Sequence, residues 1–493
     1  MTVPLTGRSR RRASPLDGFE RAVRRAQPPT SALRTPPRPG VRTPRGPAGR
    51  QPAPDPARVA PRHPVPPRRP PAPGSARDRD RRRAQIRRNR IVAASALVGL
   101  VAILLAATLG GGGAPRAAAG AHRGAPASPL PVVHSLVAPH LVVAGRAPSF
   151  AWPARGEAAI GVAGVGVIGH SAHQAEVPVA SLTKMMTAYL ILRDHPLAPG
   201  AGGPSLRISA ADVADWVHAS QNDYSNVQVK VGEVLDEHQL LEALLLPSAD
   251  NIADLLAIWD AGSIPAFVQK MNATAAALGM TSTHYADASG VSHGSRSDAV
   301  DQERLAALLI ESPVIRSIVR HPALAFPVAG TITNYNPALG VDGIIGLKSG
   351  FTQAAQGCLA TAAYRIVGGH RVLVVSVSLG QLDGLYGAAR ADERLLVQAS
   401  GVLRPVPVLA PRQAVARLSP SGAPPVVLQA PGNATTVVGW PQLVLDEQVV
   451  PRVGATSAPA APVPASAASL QVLAQGRLVA TVPLLASASG AAR

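Results

Sequence analysis

The chain has 493 residues, room for two or three domains, and a net charge of +19 from 48 Lys/Arg against 29 Asp/Glu. Residues 1–90 hold 24 arginines, no lysine and five acidic residues, an excess equal to the net charge of the whole chain. The remainder is balanced, which excludes reading the high pI as a basic, nucleic-acid-binding surface on the folded part.

Residues 1–90 are rich in Pro and Arg and carry no helical or alternating apolar period, so the segment predicts a disordered tail. Ile91 to Leu109 is an uncharged apolar run of 19 residues, about 28 Å long as a helix, which matches a bilayer core and predicts a transmembrane helix. Arg81, Arg82, Arg83, Arg87, Arg88 and Arg90 precede it directly. The positive-inside rule then places the tail in the cytoplasm and everything after Leu109 outside the cell membrane. The tail's cytoplasmic partner is left open by its composition. Residues 110–146 are rich in Gly, Ala and Pro and read as a linker. Residues 147–403 carry the informative motifs. Residues 404–493 show short Val/Leu runs broken by Pro and Gly, which predicts a small β-rich region. In it, Leu470-Gln-Val-Leu-Ala and Leu478-Val-Ala-Thr-Val flank Gln475-Gly476 as a hairpin, and residues 453–468 read as an internal linker. The single cysteine, Cys358, excludes an intrachain disulfide and a cysteine-based zinc site. In Gly357-Cys358-Leu359-Ala360 it reads as a small buried hydrophobe.

The chain has four lysines, Lys184, Lys230, Lys270 and Lys348, and elsewhere uses arginine for positive charge. Lysine can lose a proton where arginine cannot, so these positions are candidates for proton chemistry. Lys184 follows Ser181 by three residues. Leu182, Met185, Met186, Tyr189 and Leu190 form an apolar stripe behind it, which predicts an amphipathic helix with Ser181 in its first turn and Lys184 on the same face. A neutral amine there accepts the hydroxyl proton and activates the serine as a nucleophile. Taken alone, the same tetrapeptide also describes a surface helix beginning with serine. Ser248, in Leu244-Leu-Leu-Pro-Ser-Ala-Asp-Asn251, reads alone as a helix cap, or as a proton relay if it meets Lys184. Lys348-Ser349-Gly350 precedes a strand-like segment. There an ammonium and a hydroxyl side by side suit a terminal carboxylate, and the glycine allows close backbone approach. A lone edge lysine would instead protect a strand end.

Ser-x-x-Lys, then Ser-x-x, then Lys-Ser-Gly, in that order, is the motif set of β-lactamases and penicillin-binding proteins. Residues 150–403 resemble low-molecular-mass penicillin-binding proteins that act as D-alanyl-D-alanine carboxypeptidases. The likeness extends to Pro178 through Ala188, Met271-Asn-Ala, Leu278 through Tyr285, Ala288-Ser-Gly290 and Gly343 through Gly350. It implies an α/β DD-peptidase/β-lactamase-like transpeptidase fold, an antiparallel sheet flanked by helices with a helical insert carrying Ser248. It also implies catalytic Ser181, Lys184 and Ser248, with Lys348, Ser349, Gly350 and Phe351 binding substrate. The Ser181 and Phe351 amides would form the oxyanion hole, and Asp301 would open a helix in a structural role. The implied substrate is a peptidoglycan stem peptide ending in D-Ala-D-Ala, with β-lactams as inhibitors and no cofactor.

The departure from the family pattern lies at Ser248-Ala249-Asp250, where the family has Ser-x-Asn. Either Asp250 stands at the substrate-binding amide position and pairs with Lys184, holding it charged, or the loop shifts so that Asn251 fills that place. The alternatives in function are a degenerate member that binds stem peptide without turnover, a β-lactamase and a D,D-endopeptidase. Gly164-Val-Gly166-Val-Ile-Gly169 matches a dinucleotide fingerprint, but no helix follows it at once, so it reads as a glycine-rich strand or hairpin. The 13 histidines show no paired metal-ligand spacing, so no metal is expected.

Overall fold

A computed structural model of the chain describes residues 132–419, 424–452 and 467–487. The expected tail 1–90, the membrane helix 91–109, the start of the linker and residues 453–466 of the expected internal linker 453–468 lie outside the described residues, while Ala468 opens a strand. Among the described residues no helix is long and apolar enough to cross a membrane.

Five antiparallel strands form the central sheet: β1 (Glu157–Val162), β2 (Gly166–His170), β3 (Ile344–Thr352), β4 (Gln356–Val367) and β5 (His370–Gln381), in spatial order β3-β4-β5-β1-β2. The sheet therefore joins two ends of the domain almost 200 residues apart. The dinucleotide-like glycines form the β1–β2 hairpin, with Gly164 (φ +79°) in its turn. Side chains alternate across the sheet, as strand geometry requires. Ala159, Ala360, Ala362, Val375 and Val377 feed one core, while Ala158, Ile160, Leu359, Ala363 and Val374 feed the other. Both faces are thus covered, which explains near-continuous apolar runs in place of an in/out alternation.

The helices, in chain order, are α1 (Thr183–Asp194), α2 (Ala210–Gln221), α3 (Glu237–Leu245), α4 (Asp250–Ala261), α5 (Ile264–Ala277), α6 (Ala299–Leu309), α7 (Pro313–Val319) and α8 (Gly384–Val402). Several of them start on polar caps. Asp236 and Gln239 form a capping box on α3, Ser263 caps α5, Asp298 caps α6 and Ser312 caps α7 with Pro313 behind it. Asp301 stands in the first turn of α6 and accepts from the Ser282 amide and the Thr283 hydroxyl, so its role is structural, while the cap itself is Asp298.

The amphipathic reading of α1 needs correction. Thr183, Lys184 and Thr187 are as buried as Met185, Met186, Leu190 and Ile191, so the helix is central and covered on most sides. Lys184 and Thr187 are buried with hydrogen-bond partners from distant segments, which the local apolar period does not report, while the Thr183 hydroxyl has no partner among the described residues. α8 covers the opposite face of the sheet. There its Asp392 accepts from Thr361 (3.0 Å), Ser376 (2.9 Å) and Ser378 (2.6 Å), and burial pushes this carboxyl up to about 7.

The C-terminal region is a β-structure, as its composition indicated, but it recruits chain from upstream. Val132–Ser135 pairs with Ala414–Ser419, and His140–Val142 pairs with Val444–Pro451, within one seven-stranded arrangement. Part of the expected 110–146 linker is therefore sheet. These runs are only four and three residues long, and their partners lie some 300 residues away, so local composition could not reveal them. The hairpin of Ala468–Ala474 and Arg477–Ala486 turns at Gln475 and Gly476, both with φ > 0, as a tight two-residue hairpin requires. The Gln475 side chain accepts from the Val167 amide (3.0 Å) and donates to the Val167 carbonyl (2.8 Å), so it imitates a strand partner on edge strand β2. Arg477 adds an ion pair to Glu311 at 2.6 Å.

Candidate active site

Ser181 does not sit in α1 itself but in a single 3-10 turn, Ala180–Leu182, that runs directly into it. Ala180 has φ +47°, a left-handed conformation uncommon outside glycine. Strain of this kind persists only where surrounding structure enforces it. Two glycines make room. A Cβ on Gly290 would run into the Ala180 carbonyl, and a Cβ on Gly350 would stand 2.9 Å from the Ser181 nitrogen.

Lys184 lies one turn on, with no exposed side-chain surface. Its Nζ contacts Ser181 Oγ at 2.9 Å, Asp250 Oδ1 at 2.5 Å and the Ser289 carbonyl at 2.7 Å. Thr187, three residues further along α1, donates to the Ala288 carbonyl (2.7 Å), so α1 grips the 288–289 backbone at two points. Asp287 shapes that loop, accepting from the Gly290 and Ser292 amides and the Ser289 and Ser295 hydroxyls.

The second motif enters between α3 and α4. Ser248 has φ +65° and is buried, and its Oγ has no hydrogen-bond partner among the described residues. The capping reading of this serine is corrected, because the residue before α4 is Ala249 and no side chain caps the helix. A buried hydroxyl without a partner is costly in a purely structural position. The choice left open between Asp250 and Asn251 falls to Asp250. Asn251 instead folds back on Val227, accepting from its amide (3.1 Å) and donating to its carbonyl (3.0 Å), so its expected place in substrate binding is corrected to a structural one. Both ends of its amide are thus engaged by the Val227 backbone. Burial raises the Asp250 carboxyl, with Lys184 and then Lys348 pulling the other way. Asp254, one turn along α4, is pushed up to about 7 by burial and by the neighbouring Asp250, Asp215 and Asp287.

The third motif lies on β3. Lys348 is fully buried and donates to the Ser349 carbonyl at 2.7 Å. Burial, and then the Lys184 charge, hold its ammonium well below the ordinary lysine range. Ser349 is buried beside it, and Gly350 brings the strand against the nucleophile turn. Phe351 is 54% exposed, facing out where the strand ends. Ser181, Lys184, Asp250, Lys348 and Gly350 are thus gathered from the 3-10 turn, α1, α4 and β3. Of the other two lysines, Lys270 pairs with Asp194 and Asp260, and Lys230 is exposed. No group of three or more metal-ligating side chains converges among the described residues.

Sequence reasoning noticed Ala288-Ser-Gly290 only as a likeness. It missed that Ser289 supplies a carbonyl to Lys184 and that Asp287 organises the loop. A main-chain carbonyl carries no residue-type signature, and the 105 residues between the two partners hide the contact.

The chain is similar to known proteins. Residues 159–381 match the Peptidase S11 family, described as D-alanyl-D-alanine carboxypeptidase. A D-alanyl-D-alanine carboxypeptidase of Mycobacterium tuberculosis is 34% identical over 210 residues, covering 41% of this chain and 67% of that protein. Another, from a Streptomyces species, is 30% identical over 213 residues, covering 39% of this chain and 69% of the relative. In fold, the chain is similar to a peptidoglycan synthesis regulatory factor of Streptococcus pneumoniae, with a TM-score of 0.53 at 20% identity over 69% of this chain and 99% of that one. With a serine and a lysine in hydrogen-bond contact at the head of a buried helix, and with these relatives, the chain belongs to the D-alanyl-D-alanine carboxypeptidase family of serine peptidases.

Proposed function

We propose that this chain removes the terminal D-alanine from peptidoglycan stem peptides at the outer face of the cytoplasmic membrane, held there by residues 91–109. The observation that carries the chemistry is the 2.9 Å contact between Lys184 Nζ and Ser181 Oγ. In its amine form Lys184 takes the hydroxyl proton as Ser181 Oγ bonds to the penultimate D-alanine carbonyl carbon. The carbonyl π pair moves onto oxygen, beside the backbone amides of Ser181 and Phe351. Collapse breaks the C–N bond, and the departing D-alanine nitrogen takes the proton back from Lys184. Water then hydrolyses the acyl-enzyme by the same route, and a β-lactam stops the cycle at acylation because its leaving nitrogen remains attached.

Lys348 and Ser349 hold the terminal carboxylate. A buried lysine depressed by desolvation is favoured in its charged form by an anion beside it, so Lys348 and a substrate carboxylate are matched in charge. Ser248, buried and unpartnered, stands in the loop that delivers Asp250 to Lys184 and serves as the proton relay to the leaving nitrogen.

The test pairs two assays on the full chain: labelling by a fluorescent penicillin, and D-alanine release from a diacetyl-Lys-D-Ala-D-Ala peptide. Label lost in Ser181→Ala together with D-alanine release by the wild type supports the reading, and no label in the wild type sinks it. For the placement, protease added to intact spheroplasts should digest the domain that follows Leu109. One observation favours a second reading, binding without turnover: Asp250 occupies a donor of Lys184. Label without D-alanine release would select it.

A further inference from the structure

Lys184 ends in three acceptors: Ser181 Oγ, Asp250 Oδ1 and the Ser289 carbonyl. An ammonium has three N–H donors and no lone pair, so this arrangement satisfies it completely. An amine in the same place donates to two of the three and accepts from the Ser181 hydroxyl. The two states share one geometry and differ by one proton, and only the second can activate the serine. What selects between them is the charge around Nζ.

The groups facing this point come from every packed element. Asp250 on α4 is in direct contact, and its side chain is only 9% exposed. Lys348 faces it from β3, and burial keeps that lysine's own positive charge weak. Asp287 acts from the loop before Ser289, but four hydrogen-bond donors already compensate it. Asp254 lies one turn along α4, and Asp215 faces it from α2; burial and its acidic neighbours weaken Asp254 as an anion. Burial raises the Asp250 carboxyl as well, but there the Lys184 contact opposes it directly, so Asp250 is the acid in hydrogen-bond contact with Lys184, and an amide of the same shape would carry no such charge.

We infer that Asp250 is a positioning residue that holds Lys184 as the ammonium in the resting site and so sets the pH at which Ser181 gains its base. This rests on the serine-acylation reading above. One proton must leave the Lys184–Asp250 pair for water. The Lys184 lone pair then takes the Ser181 proton as the Oγ–C bond forms and the carbonyl π pair moves to oxygen. The C–N bond breaks next, and its nitrogen recovers that proton from Lys184. Acylation should accordingly rise with pH along a limb that reports this deprotonation.

The experiment measures the second-order rate of fluorescent-penicillin labelling of the full chain from about pH 5 to about pH 10, in wild type, Asp250→Asn and Asp250→Glu. Removing an opposite charge in contact should move the rising limb down by about 1–2 pH units, so that below the wild-type limb the Asn variant labels about 10-fold faster or more. Asp250→Glu keeps the charge and should keep the limb near its wild-type position, which a merely structural role would not require. Should the Asn variant fail to fold, Asp250→Ser repeats the comparison with a smaller neutral side chain. Equal limbs in wild type and the neutral variant overturn the inference. So does a neutral variant that stays folded yet labels more slowly at every pH. Failure of the wild type to label at any pH instead overturns the serine-acylation reading itself.

Discussion

Gly350 faces the backbone of Ser181 so closely that a Cβ at that position would stand 2.9 Å from the Ser181 nitrogen and 3.2 Å from the Ala180 Cβ. These two atoms are backbone and the base of a side chain, and neither can rotate away, while Leu182 Cδ1, also at 3.2 Å, is the end of a side chain. Strand β3 and the nucleophile turn are therefore fitted to each other, and the Ser181 amide needs its position to meet developing negative charge.

Gly350→Ala should leave a folded protein whose penicillin acylation is about 100-fold slower, because small displacements at reacting atoms cost that much. Stopped-flow labelling with fluorescent penicillin checks it, with circular dichroism to confirm the fold. A rate within a factor of two of wild type would mean the strand yields without consequence.

Ser248 combines a left-handed φ of +65° with a buried hydroxyl that has no partner among the described residues, two features that destabilise a folded chain. Ser248→Gly removes both and should raise unfolding stability by about 1 kcal/mol. The same change removes the relay hydroxyl, so D-alanine release should fall at least 10-fold by the general acid–base contribution expected of one group. Denaturant unfolding and the release assay measured on one preparation decide it. Lower stability in the variant would show that the hydroxyl is bonded after all.

How far such features were legible in the sequence depends on whether residue type or distant contact carries them. Lys184 and Lys348 stand out because lysine is rare in this chain, and their motif spacing survives folding because each motif is only a few residues long and folds locally. The hairpin at Gln475-Gly476 was legible because turn chemistry is local. The Ser289 carbonyl, the Gly290 clearance for Ala180 and the strands at 132–142 were not, since each depends on a partner more than 100 residues away. α1 misled for a related reason. Its apolar stripe is real, but later segments cover the polar side as well, and only the full packing shows that Thr183 and Thr187 are interior. At Ser248-Ala-Asp-Asn the choice was decided by Val227, a backbone partner that the motif does not contain.

Cys358 reads in the sequence as a small buried hydrophobe, and its surroundings support a direct check. The side chain is fully buried, and burial pushes its thiol up to about 12. At pH 8 almost none is thiolate, and the sulfur has no path to solvent, so iodoacetamide should fail to modify native protein while labelling it fully in denaturant. Mass spectrometry before and after urea reads this out. Native labelling at the rate of a free thiol would show that the sheet opens between β4 and the Pro178 region.

Glu303 presents a different kind of buried acid, on α6 beneath β1. It is 1% exposed, its Oε1 has no hydrogen-bond partner among the described residues, and Gly161 lies so close that any Cβ there would collide with the carboxyl. Burial pushes this carboxyl up to about 8, with Arg304 and Arg477 opposing. The folded chain thus keeps a proton that the unfolded chain releases at the ordinary glutamate value of about 4.3. Between those two values the folded state binds more protons, so stability is highest at the acid end of the window and declines as pH rises through it. Glu303→Gln preserves the shape and removes the titration. Near pH 4.5 the variant should match the wild type, and near pH 8 it should be more stable by about 1–3 kcal/mol. Asp392, Asp254 and Glu237 titrate in the same range, which makes the difference between the two proteins, and not either curve alone, the quantity to measure. Urea unfolding at the two pH values gives it. A constant difference across the window would mean that Glu303 is ionised and solvated in the folded chain.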